Sequence, residues 1–263
     1  MPKIVNEILL LALSFGLTFM SAGAFARNEL SAPSKAVIEQ ARLLSTEGSE
    51  NAARKELEKF PRAQLLTGLR DGLKSGAPWV EISAGAAASM KLSELTPDLR
   101  EAFKLGAGWT FVYALGELTP VKDRALVSAE FLKGIEKSPD ATAVAILETL
   151  SRWNIGLSNV GFEACLKNQS YEVRQAAVRN FLATRETLDA ASQIARFKQS
   201  FAVKPFEVRL EAMDAFDQLS SADRKKLKGA VDAGLKSQCR FEKEASVKKS
   251  CGRVIASVIE KPK

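Results

Sequence analysis

Few residues of this chain could carry out catalysis, because its 263 residues include no histidine. Histidine is the commonest general acid or base near neutral pH and a frequent zinc ligand. Two other arrangements remain. Asp214 and Asp217 lie three residues apart, so that one face of a helix would hold both carboxylates. Ser246 and Lys249 have the Ser-x-x-Lys spacing of serine enzymes in which a lysine helps to activate the serine.

Neither arrangement predicts an active site. Carboxylate pairs at this spacing are frequent on solvated helix faces, and the Ser-x-x-Lys motif works with Ser-Asp-Asn and Lys-Thr-Gly segments that this sequence lacks. No strand followed by a glycine-rich phosphate loop is recognisable. We therefore expect a protein that is not an enzyme and needs no cofactor, metal or small-molecule substrate. An enzyme with a carboxylate or Ser/Lys site in a groove is the least favoured alternative.

Positive charge is concentrated at the C-terminal end of the chain. Residues 220–263 hold twelve Lys and Arg against five Asp and Glu, and this excess equals the formal net charge of +7 of the whole chain. Such a cluster attracts anions such as lipid head groups, cell-wall polymers or an acidic protein. Lysine also keeps the end of a repeat domain soluble, and both interpretations stay open. The candidate anion or partner surface consists of Arg224, Lys225, Lys226, Lys228, Lys243, Lys248, Lys249 and Arg253.

The three cysteines are Cys165, Cys239 and Cys251, too few for a disulfide scaffold and odd in number. Cys239 and Cys251 are the closest in sequence. They can form a disulfide in an oxidising compartment if the loop that holds Cys239 folds back along the last helix. The alternative is that Cys165 and Cys251, both on apolar helical faces, are small buried side chains.

Aromatic and basic residues alternate between positions 196 and 206, a mixture that can form a contact surface. Phenylalanine at these spacings more often packs between neighbouring helices, and we expect packing for this segment and for the three tryptophans. The residues concerned are Phe197, Phe201 and Phe206 with Arg196, Lys198 and Lys204, and Trp79, Trp109 and Trp153.

The first 26 residues have the layout of a secretory signal peptide. Lys3 precedes an apolar stretch from Ile8 to Met20, which the small-residue triplet Ala24-Phe25-Ala26 follows. We expect cleavage after Ala26 and a mature chain in the periplasm or outside the cell, and export argues against a nucleic-acid partner. The uncharged stretch from Ile8 to Ala26 is 19 residues long, so an uncleaved inner-membrane anchor is the alternative.

Proline placement and apolar spacing predict an all-α mature chain over residues 27–263. Seven prolines each stand where a helical apolar pattern begins, and Thr96, Thr119 and Ser138 precede three of them as expected N-caps. Strand signals are nearly absent. The predicted helices form seven antiparallel pairs, at approximately 33–60, 61–91, 96–118, 120–152, 157–183, 185–219 and 220–259.

The second helices of these pairs share a pattern, an aliphatic residue followed by small or apolar residues four and eight positions later. A period of about 30–40 residues built of two helices is typical of an α-solenoid, in which each pair buries its apolar face on the next. The pattern occurs as Val80-Ala84-Ala88, Val173-Ala177-Phe181, Val208-Ala212-Phe216 and Val247-Cys251-Ile255.

On two of these segments the chain resembles the HEAT-repeat family, whose shorter form opens the second helix with Val-Arg and carries Ala four residues after the Val. Val173, Arg174 and Ala177 match this signature, as do Val208, Arg209 and Ala212, and Val247-Lys248-Cys251 is a weaker version. The family often has Asp five residues before the Val, where this chain has Asn168 and Val203.

The resemblance implies an α-α superhelix, a HEAT-like solenoid of about seven helical hairpins over residues 27–263 with a basic C-terminal repeat at 220–263. Proteins of this kind bind other macromolecules, so we expect an exported, non-enzymatic scaffold or adaptor with a protein partner. The alternative is a protein that binds an anionic envelope component, a lipid head group or a cell-wall polymer, through the basic C-terminal repeat.

Overall fold

The computed structural model describes residues 30–45, 48–106, 108–203, 206–217, 219–220, 222–223, 239–240 and 242–259. Over these ranges the chain is all-α, as predicted, and no strand occurs in them. The predicted signal peptide, residues 1–26, lies outside the described residues. The described helices are α1 Ala32–Arg42, α2 Glu50–Glu58, α3 Arg62–Leu73, α4 Trp79–Ser89, α5 Thr96–Lys104, α6 Trp109–Leu118, α7 Arg124–Gly134, α8 Asp140–Arg152, α9 Asn159–Leu166, α10 Tyr171–Thr184, α11 Ala190–Phe201, α12 Phe206–Asp217 and α13 Ala245–Ile259.

Side-chain caps begin four of these helices. Ser31, Ser158, Ser170 and Asp189 each accept a hydrogen bond from the backbone N–H three residues further on, at the starts of α1, α9, α10 and α11. Such a cap satisfies one of the N–H groups that the first turn of a helix leaves unpaired. These residues therefore set where the four helices begin.

The expected caps before proline are wrong in all three cases. Thr96 lies inside α5 and donates to the Ser93 carbonyl, and Ser138 donates to the Gly134 carbonyl. Thr119 Oγ1 is buried, with no hydrogen-bond partner in the described part of the chain. At Ser138 the next residue, Pro139, itself occupies the cap position of α8, because its fixed φ also suits the extended backbone there.

The chain divides into two compact units, residues 1–118 and 119–263. In the first unit helices that are near one another in sequence pack together. α1 contacts α3 and α4, α3 contacts α4 and α5, and α6 packs on both α4 and α5. The core between these helices is aliphatic and fully shielded from solvent at Val37, Ile38, Leu69, Val80 and Leu115.

Two glycines on one side of α3 allow the close approach of α1 and α4. A methyl group on Gly68 would lie 2.8 Å from Cβ of Val37 in α1. A methyl group on Gly72 would overlap Oγ of Ser83 in α4 and lie 2.7 Å from Cδ1 of Ile38. The absence of a side chain at both positions therefore sets the spacing of three helices.

We expect Gly68→Ala to lower the free energy of unfolding of the first unit by up to about 2 kcal/mol. Alanine is the better helix former by about 1 kcal/mol, but overpacking typically costs about 1–3 kcal/mol and the Val37 β-carbon cannot rotate away. Gly85→Ala in α4 is the matched control, because nothing lies within 4 Å of the added methyl. It should raise the stability by about 0.5–1 kcal/mol. Urea unfolding of both variants measures this, and stabilisation by both would contradict the packing argument.

In the second unit the second helices of successive pairs are neighbours. α10 packs on α8 and on α12, and α13 packs on α12, while α9 and α11 contact each other and their own partners. The buried positions recur with this order. Phe131, Phe162 and Phe197 occupy matching sites in α7, α9 and α11, and all three are fully buried. This sequential packing is consistent with a helical repeat.

An aromatic ladder joins two of these pairs. The Phe162 ring meets Phe181 at 5.7 Å, Phe181 meets Phe197 at 4.9 Å, and Phe197 meets Phe216 at 5.1 Å between ring centroids, all edge to face. These rings come alternately from first and second helices. The ladder therefore crosses from one pair to the next.

Candidate functional site

The predicted basic surface is described in part. Arg224, Lys225, Lys226 and Lys228 lie outside the described residues. Lys243 precedes α13, and Lys248, Lys249 and Arg253 lie on α13, and all four side chains are exposed. The last three share the solvent-facing side of the helix with Ala245, Ser246 and Gly252.

The three lysines and Arg253 differ in their surroundings. None of the described carboxylates forms an ion pair with Lys243, Lys248 or Lys249. Arg253 instead donates to Asp214 on α12 at 2.8 Å and to Ser250 Oγ at 2.8 Å. Arg253 thus links α13 to α12. The ammonium groups of Lys243, Lys248 and Lys249 are the described charges of this surface that can contact an external anion.

The structure describes the residues of the two catalytic alternatives only in part. Asp214 is engaged by Arg253 and by Ser250 Oγ at 2.9 Å, and the side chain of Asp217 lies outside the described residues. Ser246 and Lys249 are both exposed near the start of α13. Among the described residues, no three His, Cys, Asp or Glu side chains lie close enough together to hold a metal ion.

The segment before α13 is fastened to α12 by an ion pair that the sequence analysis missed. Arg209 Nε and Nη2 donate to both carboxylate oxygens of Glu242, at 2.8 and 2.9 Å, and both side chains are largely shielded from solvent. Glu242 also accepts the backbone N–H groups of Lys243 and Glu244. Burial opposes the charge of Glu242, but the Glu244 N–H and the Arg209 guanidinium outweigh it and lower the pKa of this carboxyl.

We expect this ion pair to lose its stabilising effect in acid. A carboxyl whose pKa is lower in the folded state stabilises that state fully when the pH is above the ordinary pKa of 4.5. The effect disappears as the pH falls through the pKa of the folded state. Wild type should therefore exceed Glu242→Gln in urea midpoint at pH 7, and the difference should become smaller as the pH falls below 4.5. The exposed Glu148→Gln on α8 is the control, and an equal gap at both pH values would contradict the assignment.

The same segment is bonded to α13 by a disulfide between Cys239 and Cys251. The alternative prediction was that Cys251 is a small buried side chain. It is buried, and it also forms one half of this disulfide. Cys165 is a buried free thiol on α9, and burial, with a smaller contribution from Glu136, raises its pKa to about 11. The described cysteines are therefore one bonded pair and one inert thiol.

The repeat-signature residues lie in matching places on α10 and α12. Val173, Ala177, Val208 and Ala212 are fully shielded or nearly so. Arg174 and Arg209 each donate through Nη1 to the backbone carbonyl six residues earlier, those of Asn168 and Val203. The residue five positions before the Val, where the HEAT-repeat family often has Asp, thus accepts the arginine through its backbone carbonyl.

The alternating aromatic and basic segment contributes mainly to the core. Phe197 and Phe201 are buried, Phe206 is half-buried, Lys198 is exposed and Lys204 lies outside the described residues. Of the tryptophans, Trp153 is buried and stacks on Phe131 at 5.9 Å, while Trp79 and Trp109 are half-buried.

Arg196 belongs to the core as well, at 1% exposure. Its guanidinium donates to the Leu157 carbonyl and to Asn159 Oδ1, and it lies 5.0 Å from the centroid of the Phe162 ring. Burial lowers the pKa of Arg196, and the nearby Asp189 opposes this. In a sequence, an arginine is expected at the surface even when its neighbours are apolar. No sequence pattern therefore predicts that Arg196 is buried.

No family model and no curated protein matches the chain. Among the described helices, none combines the length and the apolar character that a membrane span requires. The Cys239–Cys251 disulfide is consistent with an oxidising location outside the cytoplasm.

Proposed function

We propose that this protein is an exported, non-enzymatic scaffold or adaptor that binds a protein partner through the outer surface of a HEAT-like helical repeat. The observation that carries the proposal is the sequential packing of α8, α10, α12 and α13. Stacked second helices present a continuous series of equivalent solvent-facing positions, which is how repeat proteins build extended binding surfaces. The predicted signal peptide and the disulfide support export.

One row of side chains defines this outer surface. Glu148, Arg179, Asp214 and Arg253 occupy equivalent positions on the four helices, and we name them the outer row. Arg179 pairs with Glu211 at 2.7 Å and Arg253 with Asp214 at 2.8 Å, so each pair links adjacent helices. These links join α10 to α12 and α12 to α13, and the side chains of Glu148 and Arg179 are exposed.

Site-specific photocrosslinking in the native host tests the proposal. A photoreactive residue placed at Glu148 and at Arg179, in separate full-length proteins, should crosslink one and the same protein partner. The matched control is Glu163 on α9, which is exposed on a first helix and should not form this adduct. Absence of an adduct at both outer-row positions, or equal adducts at Glu163, would contradict the proposal, as would turnover of a small substrate by the purified protein.

The second candidate function is binding to an anionic envelope component. It is favoured by the exposed Lys243, Lys248 and Lys249, which form no ion pair with the described carboxylates. A surface of lysines among small residues attracts anions by charge without inserting into them. Binding of this kind weakens as salt shortens the Debye length from about 30 Å at 0.01 M to about 8 Å at 0.15 M.

Flotation with phosphatidylglycerol vesicles and pull-down with anionic cell-wall fragments test this candidate. The purified protein should bind at low salt, and binding should fall about tenfold or more by 0.15 M. Replacing Lys225, Lys226, Lys248 and Lys249 by Ser should remove the binding. Replacing the exposed Lys133 and Lys198 by Ser is the control and should preserve most of it, and equal losses in both variants would reject a localised site.

A further inference from the structure

The last described helix, α13, is held mainly from one side. α10 has the neighbours α8 and α12, and α12 has α10 and α13, whereas the main neighbour of α13 among the described helices is α12. A helix of 15 residues is marginal in water by itself, and terminal elements open locally more often than central ones. The packing of α13 on α12 therefore depends on the other links between this helix and the rest of the chain.

The disulfide occupies a position with a defined place in the repeat. Four residues after the first buried valine, α10 has Ala177 and α12 has Ala212, and both are fully buried. The same position in α13 is Cys251, and its Sγ lies 3.6 Å from Sδ of Met213 in α12. Where the inner repeats place an alanine methyl, the terminal helix thus carries a covalent bond.

The other end of that bond is itself fastened to α12. Cys239 lies three residues before Glu242, whose carboxylate is held by Arg209 of α12 through two guanidinium nitrogens. The connection therefore runs from α12 through Arg209 and Glu242 to Cys239, and through the disulfide to Cys251 of α13. The ion pair and the disulfide together connect α12 to α13, two helices that are also in direct contact.

We propose that the Cys239–Cys251 disulfide is a redox latch: oxidised, it keeps α13 seated on α12, and reduced, it allows α13 to open locally while the rest of the second unit stays folded. The proposal goes beyond the adaptor function and does not depend on it. A bond that closes a loop of about 15 residues restricts the open state by a factor on the order of 100 in the opening equilibrium. Reduction removes this restriction.

The chemistry of opening is a two-electron thiol–disulfide exchange with a dithiol reductant. One thiolate of the dithiol attacks Cys239 Sγ, forms a mixed disulfide and displaces the sulfur of Cys251, which takes up a proton. The second thiol then attacks the mixed disulfide and releases Cys239 as a thiol, so that the dithiol leaves oxidised. Cys165 does not compete, because burial raises the pKa of its thiol to about 11 and the group keeps its proton.

Hydrogen exchange measured by mass spectrometry tests the latch in the full mature chain. After dithiol reduction and alkylation of the released thiols, amides of residues 245–259 should exchange about 10- to 100-fold faster. Amides of α8 and α10 should be unchanged, which shows that the second unit stays folded. Cys251→Ala, which installs the alanine of the inner repeats, should reproduce this pattern without reductant.

Cys165→Ala should leave exchange in α13 as slow as in the oxidised wild type. The mass of the protein verifies that Cys239 and Cys251 are alkylated. If the amides of α13 are then as protected as before, the latch is overturned, because the noncovalent contacts alone hold the helix. Equal loss of protection in α8 and α10 would also overturn it, because the disulfide would then support the whole unit.

Discussion

Replacing Phe197 by alanine is expected to lower the free energy of unfolding of the second unit by about 3–5 kcal/mol. Phe197 is fully buried on α11, and its ring meets Phe181, Phe201 and Phe216 at centroid distances of 4.9, 5.8 and 5.1 Å. The substitution removes buried apolar surface, leaves a cavity and breaks the aromatic ladder where it passes from α10 to α12. This is the largest effect that we expect from a single substitution.

Urea unfolding followed by the fluorescence of Trp153 measures this loss. Trp79 and Trp109 lie in the first unit, and changing both to Phe leaves a reporter that belongs to the second unit alone. Tyr171→Ala is the aromatic control, because Tyr171 on α10 is 50% exposed and should change the stability by about 0.5 kcal/mol or less. Similar losses in the two variants would contradict the role of the ladder.

Replacing Asn180 by alanine is expected to cost about 2–4 kcal/mol in the same measurement. Asn180 lies on α10 with no exposed surface. Its side-chain amide donates to the Ile155 carbonyl at 3.0 Å and to Ser151 Oγ at 3.1 Å, and its Oδ1 accepts the Leu157 N–H at 3.2 Å. Alanine would leave two backbone groups of the α8–α9 connection buried without partners.

Gln175→Ala on the same helix is the matched amide control. Gln175 is half-exposed and makes one side-chain hydrogen bond, to Glu211 at 3.1 Å, so water can replace it and the loss should stay below about 1 kcal/mol. Asn180→Asp gives a second comparison, because it keeps an acceptor for Leu157 and removes the donor to Ile155. Equal stability of Asn180→Ala and Gln175→Ala would show that the connection does not depend on Asn180.

The helices of this chain could be predicted from local patterns because each helix carries its own signal. Val173, Val208 and Val247 begin the apolar faces of α10, α12 and α13, and all three are buried as their spacing indicated. The cap before proline failed at Ser138 for an equally local reason, since proline fits the N-cap and the first turn alike. A one-residue shift of this kind is not visible in the pattern.

The candidate surface was predictable in composition and not in geometry. The sequence places Lys248, Lys249 and Arg253 on one helix, but it does not show that Arg253 is paired with Asp214, 39 residues away, while the lysines form no ion pair with the described carboxylates. The Arg209–Glu242 pair was missed for the same reason. Ion pairs between helices depend on their packing, and a single sequence holds no record of it.

The amino-acid sequence alone determined the helical class and the buried positions that recur in α10, α12 and α13, because amphipathic spacing and turn residues act over a few neighbours. Tertiary structure alone decided which polar groups enter the core. Arg196 and Asn180 are buried because residues 23–39 positions away supply their partners, Leu157 among them. It also decided that Cys239 and Cys251 meet, since a disulfide needs two backbone segments at bonding distance, and only the folded chain brings them there.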